Sequence, residues 1–338
     1  MAKYSSVAVI YGSDSSEWEV SCRSGEFTAS RLDNDKYAVY EILARFGKWQ
    51  LVAYRGKSSM RVILPEGARP EIDKTDFSVR LMGQKIKFDY AYIMQHGAPG
   101  ENGLLQGYLE MLGIPFSSCS AFVSTIAFDK YACKCYVRDM KCVNCAPDVY
   151  IRQGEDVAEL CREVNSKLNY PVFVKPTMGG SSFGITKVKQ PEDLEAAVGY
   201  AFAEGKTVIV EQGIRGRELT CAVYRDGKDV KALPVIEIVT DNDYFDYDAK
   251  YNGHSSEICP APIDDNSREL IQKTTCEIYS HLGCSGVVRI DYILSDEGLY
   301  FLEINTIPGM TGASLVPKMV KTAGLDITDF LSTIVENS

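Results

Sequence analysis

Residues 287–305 read VVRIDYILSDEGLYFLEIN. Two runs rich in β-branched and aromatic residues flank Ser295-Asp296-Glu297-Gly298, a pattern that folds as an antiparallel hairpin. Alternate side chains of a strand share a face, so Arg289 pairs with Asp291 and Glu303 with Asn305. The hairpin brings both pairs together. Val287, Ile290, Leu302 and Ile304 flank them, which implies half-burial, and unpaired carboxylates are costly there. A solvated face laced with cross-strand ion pairs would account for the charges alone. Half-burial favours the other reading. In it, Asp291, Glu303 and Asn305 offer oxygen ligands to Mg²⁺, and Arg289 sits beside a phosphate.

The rest of the chain must supply a fold around that hairpin. Its first part alternates strand and helix signals: strands over 7–11, 37–43, 49–54 and 88–95, helices over 19–30 and 103–112. Such alternation predicts a mostly parallel sheet covered on its faces, an α/β fold. One helix is expected over 121–138 and another over 155–168. Strands over 171–175 and 185–189 follow, then a helix opened by Pro191 and a strand over 207–211. Further strands are expected over 218–224, 230–238, 287–294 and 299–304, with a helix over 266–282. The polar stretch 240–258 reads as a long surface loop of the kind that forms a lid.

Between two of these strands lies VFVKPTMGGSSFGITKV, residues 172–188. Gly180-Ser181-Ser182-Phe183-Gly184 matches the G-x-S-x-G turn of hydrolase nucleophiles, but that turn must lead into a helix. Here Ile185, Thr186 and Val188 continue as a strand. A small-residue hairpin loop instead suits phosphate, because backbone N–H groups approach closely and serine hydroxyls can donate. The Walker pattern is absent: Gly56-Lys57-Ser58 has Leu51 where its first glycine belongs.

Composition narrows the partners. The chain has 338 residues, 45% hydrophobic and 24% charged, with a net charge of -10 and a pI near 5.0. A dispersed acidic excess argues against nucleic acid, whose binding rests on Lys and Arg. No apolar run approaches the ~18 residues of a membrane span. Eleven cysteines without an export signal predict free thiols in a reducing cytoplasm. Cys133, Cys135, Cys142 and Cys145 have the spacing of a zinc site. The first pair falls in a helix-like run, however, where residues two apart point about 200° apart. Buried small apolar side chains are the favoured reading.

Eight segments in order give the chain a resemblance along nearly its whole length: SSEWEVS (15–21), HGAPGENGLLQG (96–107), FDK (128–130), FVKPTMGGSSFG (173–184), VEQGIRGREL (210–219), DYDAKY (246–251), RID (289–291) and LEINTIPGMTGASLVP (302–317). The sequence resembles the D-alanine–D-alanine ligase family of the ATP-grasp superfamily. The resemblance implies an ATP-grasp fold with an N-terminal Rossmann-like parallel α/β domain (1–118), a central part (119–214) and a C-terminal part with metal site and lid (215–338). It implies the ATP-dependent joining of two D-alanines through an acyl phosphate, for peptidoglycan precursors.

It also implies residue roles. Lys130 and Lys175 would hold the ATP phosphates, and Lys250 would reach them from the lid. Glu211, Gln212 and Ile214 would lie by the adenine, and Glu218 by the ribose. Asp291, Glu303 and Asn305 would bind two Mg²⁺ ions, for which Mn²⁺ could substitute, and Arg289 would stabilise an oxyanion. Glu17 would pair with the first D-alanine's ammonium and form a closing set with Ser181 and Tyr251. Ser314 and the Leu315 N–H would take the second D-alanine's carboxylate, and His96 would orient or deprotonate that substrate. Tyr251 favours D-alanine over D-lactate. A homodimer with only small-molecule partners, D-alanine and ATP, is expected. Two positions depart from the family: Trp18 where relatives often carry arginine, and Asn102 where many carry aspartate.

Overall fold

The computed structural model describes residues 2–180, 184–240 and 255–338. The N-terminal part runs β1 (Ser6–Gly12), the helix Trp18–Arg31, β2 (Ala38–Arg45), β3 (Lys48–Arg55), β4 (Val62–Ile63), β5 (Ile72–Asp73), β6 (Ser78–Leu81), β7 (Gln84–Lys87), β8 (Tyr90–Ile93) and the helix Leu104–Met111. Its main sheet has the order β4-β3-β2-β1-β8, with β1 parallel to both β2 and β8. Val7 to Ile10 at its centre are fully buried. The expected parallel sheet is therefore confined to three strands. The departure has a local cause. Phe46 and Gly47 both take left-handed backbone angles (φ 47° and 73°), the turn that joins twisted antiparallel strands, so β3 folds back on β2. A small antiparallel sheet, β5-β6-β7, turns the same way at Met82-Gly83.

The middle of the chain forms β9 (Asn144–Cys145), β10 (Asp148–Arg152), β11 (Val172–Pro176), β12 (Thr186–Val188) and β13 (Thr207–Gln212). Four of these make an antiparallel sheet, β10-β13-β11-β12, covered by the helices Val157–Lys167 and Leu194–Glu204. Then follow β14 (Arg217–Asp226), β15 (Asp229–Ala232), β16 (Ile236–Thr240), β17 (Ser255–Ile258), the helix Asp265–His281, β18 (Val287–Ser295) and β19 (Gly298–Asn305). Their sheet runs β17-β16-β14-β18-β19-β9, with β15 on β14.

Two single elements of the sequence reading are pairs. The run 121–138 is two helices, Ala121–Phe128 and Lys130–Val137, because Asp129 is extended. The Asp129 carboxylate accepts from the Ala132 N–H and caps the second helix, and its backbone bridges to Met178. The run 230–238 breaks into β15 and β16 around Pro234, which lacks the N–H a central strand needs. Part of the expected loop 240–258 is strand β17, and residues 241–254 lie outside the described residues.

The chain's last two helices, Leu315–Thr322 and Ile327–Glu336, return to the N-terminal core. Glu336 accepts from the Tyr37 hydroxyl and the Lys3 N–H, and Ser338 bonds Tyr90. Phe330, 3% exposed, packs edge-on against Tyr224 of β14 with ring centres 4.9 Å apart. Phe330→Ala is expected to cost about 3–5 kcal/mol. A urea titration reads this as a lowered midpoint, and an unchanged midpoint would mean that this helix is not a structural strut.

Candidate active site

A cavity of about 350 Å³ opens where the three larger sheets meet. One wall is the β18–β19 hairpin. Asp291 stands directly across from Glu303, and Arg289 across from Asn305, so the hairpin brings the two expected pairs together. Arg289 holds Asp291 by two parallel bonds, Nε to Oδ1 and Nη2 to Oδ2, each 2.9 Å. Thr220, opposite Asp291 on β14, donates its hydroxyl to Oδ1. The Asn305 Oδ1 is buried with no hydrogen-bond partner among the described residues. Two carboxylates and an orphaned amide oxygen form a hard-oxygen donor set, which fits a divalent cation such as Mg²⁺.

The loop after β11 forms the roof. Lys130 begins its helix where the chain bends at Asp129, so its ammonium reaches the Gly179 carbonyl at 2.9 Å and lies 3.8 Å from Glu303. The Lys130 N–H donates to the Thr177 carbonyl, and the Thr177 hydroxyl to Asp129, so the start of that helix is fastened to the loop. Lys175, on β11, lies off the cavity's lining, 2.7 Å from Glu211. Burial pushes the Glu211 carboxyl up, but Lys175 and Lys134 outweigh it and bring it down to about 2.

Glu17 and His96 close the opposite side. Glu17 precedes the helix Trp18–Arg31 but makes no side-chain capping bond. Its carboxylate lies against Gly180, where a Cβ would stand 2.7 Å from Oε2. Ser15 ties the two N-terminal loops together, donating to the His96 carbonyl at 2.9 Å and accepting from the Glu17 N–H at 3.2 Å. Trp18 carries the Arg45 guanidinium over its ring at 4.1 Å. His96 is buried, with Nδ1 donating to the Ile307 carbonyl and Nε2 bonded to the Ser24 hydroxyl, each 3.0 Å. Burial lowers its pKa, so the ring is neutral at pH 7.

Sequence reasoning passed over several groups. Glu101 accepts from the Gly97 N–H at 2.7 Å, and burial, helped by Glu17, lifts its carboxyl to about 8. Glu257 lines the cavity and pairs with Lys318, while Lys134 lies under Glu211. Only Thr220 had a usable signal, since pairing β14 with β18 sets it across from Asp291.

Of the expected site residues, Glu17, His96, Lys130, Arg289, Glu303, Asn305, Ser314 and Leu315 line the cavity. Ser314 directly precedes the helix Leu315–Thr322, and its hydroxyl accepts from the Thr311 N–H at 2.9 Å. Asp291, Lys175, Glu211, Gln212, Ile214 and Glu218 lie off the cavity's lining; the Gln212 side chain accepts from the Asn169 N–H at 2.9 Å. Ser181, Lys250 and Tyr251 lie outside the described residues. The zinc spacing gathers nothing: Cys133 is buried and Cys135 exposed, and all eleven cysteines are free thiols.

Known proteins resemble this chain in sequence and fold. The family description "D-ala D-ala ligase N-terminus" matches residues 6–119, and "D-ala D-ala ligase C-terminus" matches 142–336. A D-alanine--D-alanine ligase of Phocaeicola vulgatus is 42% identical over 98% of both chains. One of Parabacteroides distasonis is 44% identical over 98% of this chain and 96% of its own. Among solved structures, the D-Ala:D-Ser ligase from Enterococcus faecalis superposes with a TM-score of 0.86 at 30% identity, covering 98% of this chain and 99% of that one. The chain therefore belongs to the D-alanine–D-alanine ligase family and has its α/β ATP-grasp fold.

Proposed function

We infer that this protein is the ATP-dependent ligase that joins two D-alanines into D-alanyl-D-alanine for cell-wall synthesis. The observation that carries the reading is the hairpin wall. Glu303 and the unsatisfied Asn305 oxygen face a cavity that Lys130 and Arg289 share, and Asp291 stands directly across from Glu303, held by Arg289. The enzyme uses ATP and a divalent metal. We assign the metal to Asp291, Glu303 and Asn305, as two Mg²⁺ ions, which when bound neutralise charge on the transferring phosphoryl group.

The chain's own groups do the remaining work. Lys130 and Lys175 bind phosphates, and Lys250 joins them from the lid. Glu211, Gln212, Ile214 and Glu218 hold the nucleoside. Glu17 takes the ammonium of the first D-alanine and fixes how its carboxylate meets the phosphate. The amine of the second D-alanine then attacks the acyl carbon, phosphate leaves, and Arg289 stabilises the oxyanion between those events. Ser314 and the Leu315 N–H take the second carboxylate at a helix start, where backbone donors converge. Both His96 ring nitrogens are already engaged, which favours an orienting role over proton abstraction. Ser181 and Tyr251 complete the closing set. The chain works as parts 1–118, 119–214 and 215–338, with nucleotide between the last two. The family resemblance supports a homodimer, and eleven free thiols are in keeping with the cytoplasm.

Phosphate release with D-alanine, D-serine or D-lactate as second substrate tests the function. Turnover with D-alanine alone is expected, and no turnover with any of them would end the ligase reading. Asp291→Asn and Glu303→Gln should each lower turnover by at least ~100-fold while leaving the melting temperature near that of the parent. Near-parental rates in both would remove the metal assignment. Gly180→Ala would displace the Glu17 carboxylate without touching the core. It should reduce kcat/KM for D-alanine on the order of tenfold. An unchanged value would separate Glu17 from substrate positioning.

A further inference from the structure

Lys134 has no part in the scheme above, yet it is among the largest fully buried side chains, 1% exposed. A buried ammonium is costly unless it is paired and hydrogen-bonded. Its Nζ meets three acceptors: the Ala146 carbonyl at 2.8 Å, Glu211 Oε1 at 2.5 Å and Asp148 Oδ2 at 2.9 Å. An ammonium has three donors, so all are used. Lys134 therefore neither reaches the cavity nor has a proton to offer a ligand.

Glu211 is the shared element. Oε1 rests on Lys134, and Oε2 rests on Lys175 at 2.7 Å. The two lysines differ in freedom. The Lys175 side chain is 15% exposed, against 1% for Lys134. Lys175 is the one that can move.

We infer that Lys134 is a positioning residue: a fixed counterion for Glu211 that allows Lys175 to leave the carboxylate for the phosphates of bound nucleotide. Without Lys134, moving Lys175 would strip a buried carboxylate of its cation, and removing one partner of a buried pair is strongly unfavourable. With Lys134 in place, Glu211 stays neutralised through Oε1 whichever way Lys175 turns. Burial alone would lower the Lys134 pKa, but Glu211 and Asp148 outweigh it and raise it, so the counterion is present throughout the working pH range. Asp148 in turn is shared with Arg138 at 3.4 Å, which leaves Lys134 enough charge for Glu211. The inference rests on reading Lys175 as a phosphate ligand.

The test is initial-rate kinetics on the full chain, with ATP varied at saturating D-alanine. Lys134→Met should raise the KM for ATP by at least ~10-fold while kcat changes less than ~3-fold, the pattern of lost ground-state binding. Lys134→Arg, which keeps the charge, should stay within ~3-fold of the parent in KM. In a Glu211→Gln background, adding Lys134→Met should change the KM for ATP by less than ~3-fold, because no bare carboxylate then retains Lys175. A role in mere packing would produce neither the charge-dependent rescue nor the split between KM and kcat. A KM for Lys134→Met near the parent's, a loss confined to kcat, or an undiminished further rise when Lys134→Met is added to Glu211→Gln overturns the inference. If Lys134→Met does not fold, the double variant decides against Glu211→Gln alone. A KM within ~3-fold of that variant supports the inference, and a further large rise overturns it. Lys175→Met runs in parallel. An unchanged KM for ATP there removes the phosphate role of Lys175 itself, whereas a raised KM there with a parental KM in Lys134→Met removes only the role of Lys134.

Discussion

The register of β14, β18 and β19 is the constraint on which the site depends. On β18, Val288, Ile290 and Tyr292 are buried in the core, while Arg289 and Asp291 between them face the cavity side. The Tyr292 hydroxyl bonds Thr275 of the helix Asp265–His281 at 2.9 Å, locking the buried face. A slip of one residue would drive Asp291 into that core and expose Tyr292. The apolar face thus fixes where the carboxylate stands, and Thr220 and Arg289 fix how it points.

The hairpin also explains why plain alternation is only half right. Strict period-two counting along β19 would put Leu299, Phe301, Glu303 and Asn305 on one face. In the structure Leu299 and Phe301 are buried in the core, whereas Glu303 and Asn305 are half-buried at the cavity. A register shift beside Asp291 resolves the conflict: Asp291 faces Glu303, but Tyr292 faces Phe301, so Leu302 is the extra residue. Such bulges re-aim side chains next to functional sites. The two apolar and two polar positions are legible in the sequence, but the bulge that sorts them is not.

The same boundary runs through the rest of the molecule. Strongly periodic elements, β1 and the helix Asp265–His281 among them, stand near where the sequence puts them. What it misses is set by single residues in a tertiary setting. Asp129 splits a helix because its carboxylate caps the next one and its backbone meets Met178. Phe46, an aromatic residue at positive φ, reverses β3 where propensity gives no warning. At the site, residues held by motifs were legible one by one. Lys134 was not, because a lysine in a helical run reads as a solvated face until three acceptors from distant strands are seen around it.

The N-terminal and hairpin walls meet because the chain returns. The segment after β19 carries Ile307, whose carbonyl receives His96 Nδ1–H, and Met310, whose N–H donates to Ser24, the same hydroxyl that meets His96 Nε2. One buried histidine thus joins the loop after β8, the helix Trp18–Arg31 and the strand end that bears Asn305. Protonating it would give Nε2 a hydrogen where it accepts the Ser24 hydroxyl, and Ser24 would have to turn that hydrogen elsewhere. Burial resists this by holding the ring neutral. Glu17, just before the helix that carries Ser24, is therefore set relative to Glu303 and Asn305 by hydrogen bonds between neutral groups. The proposed phosphate ligands, Lys130 and Lys175, are held by carboxylates and a carbonyl instead. On that proposal those contacts would give way to a more negative phosphate, and the frame would stay still while the cations move.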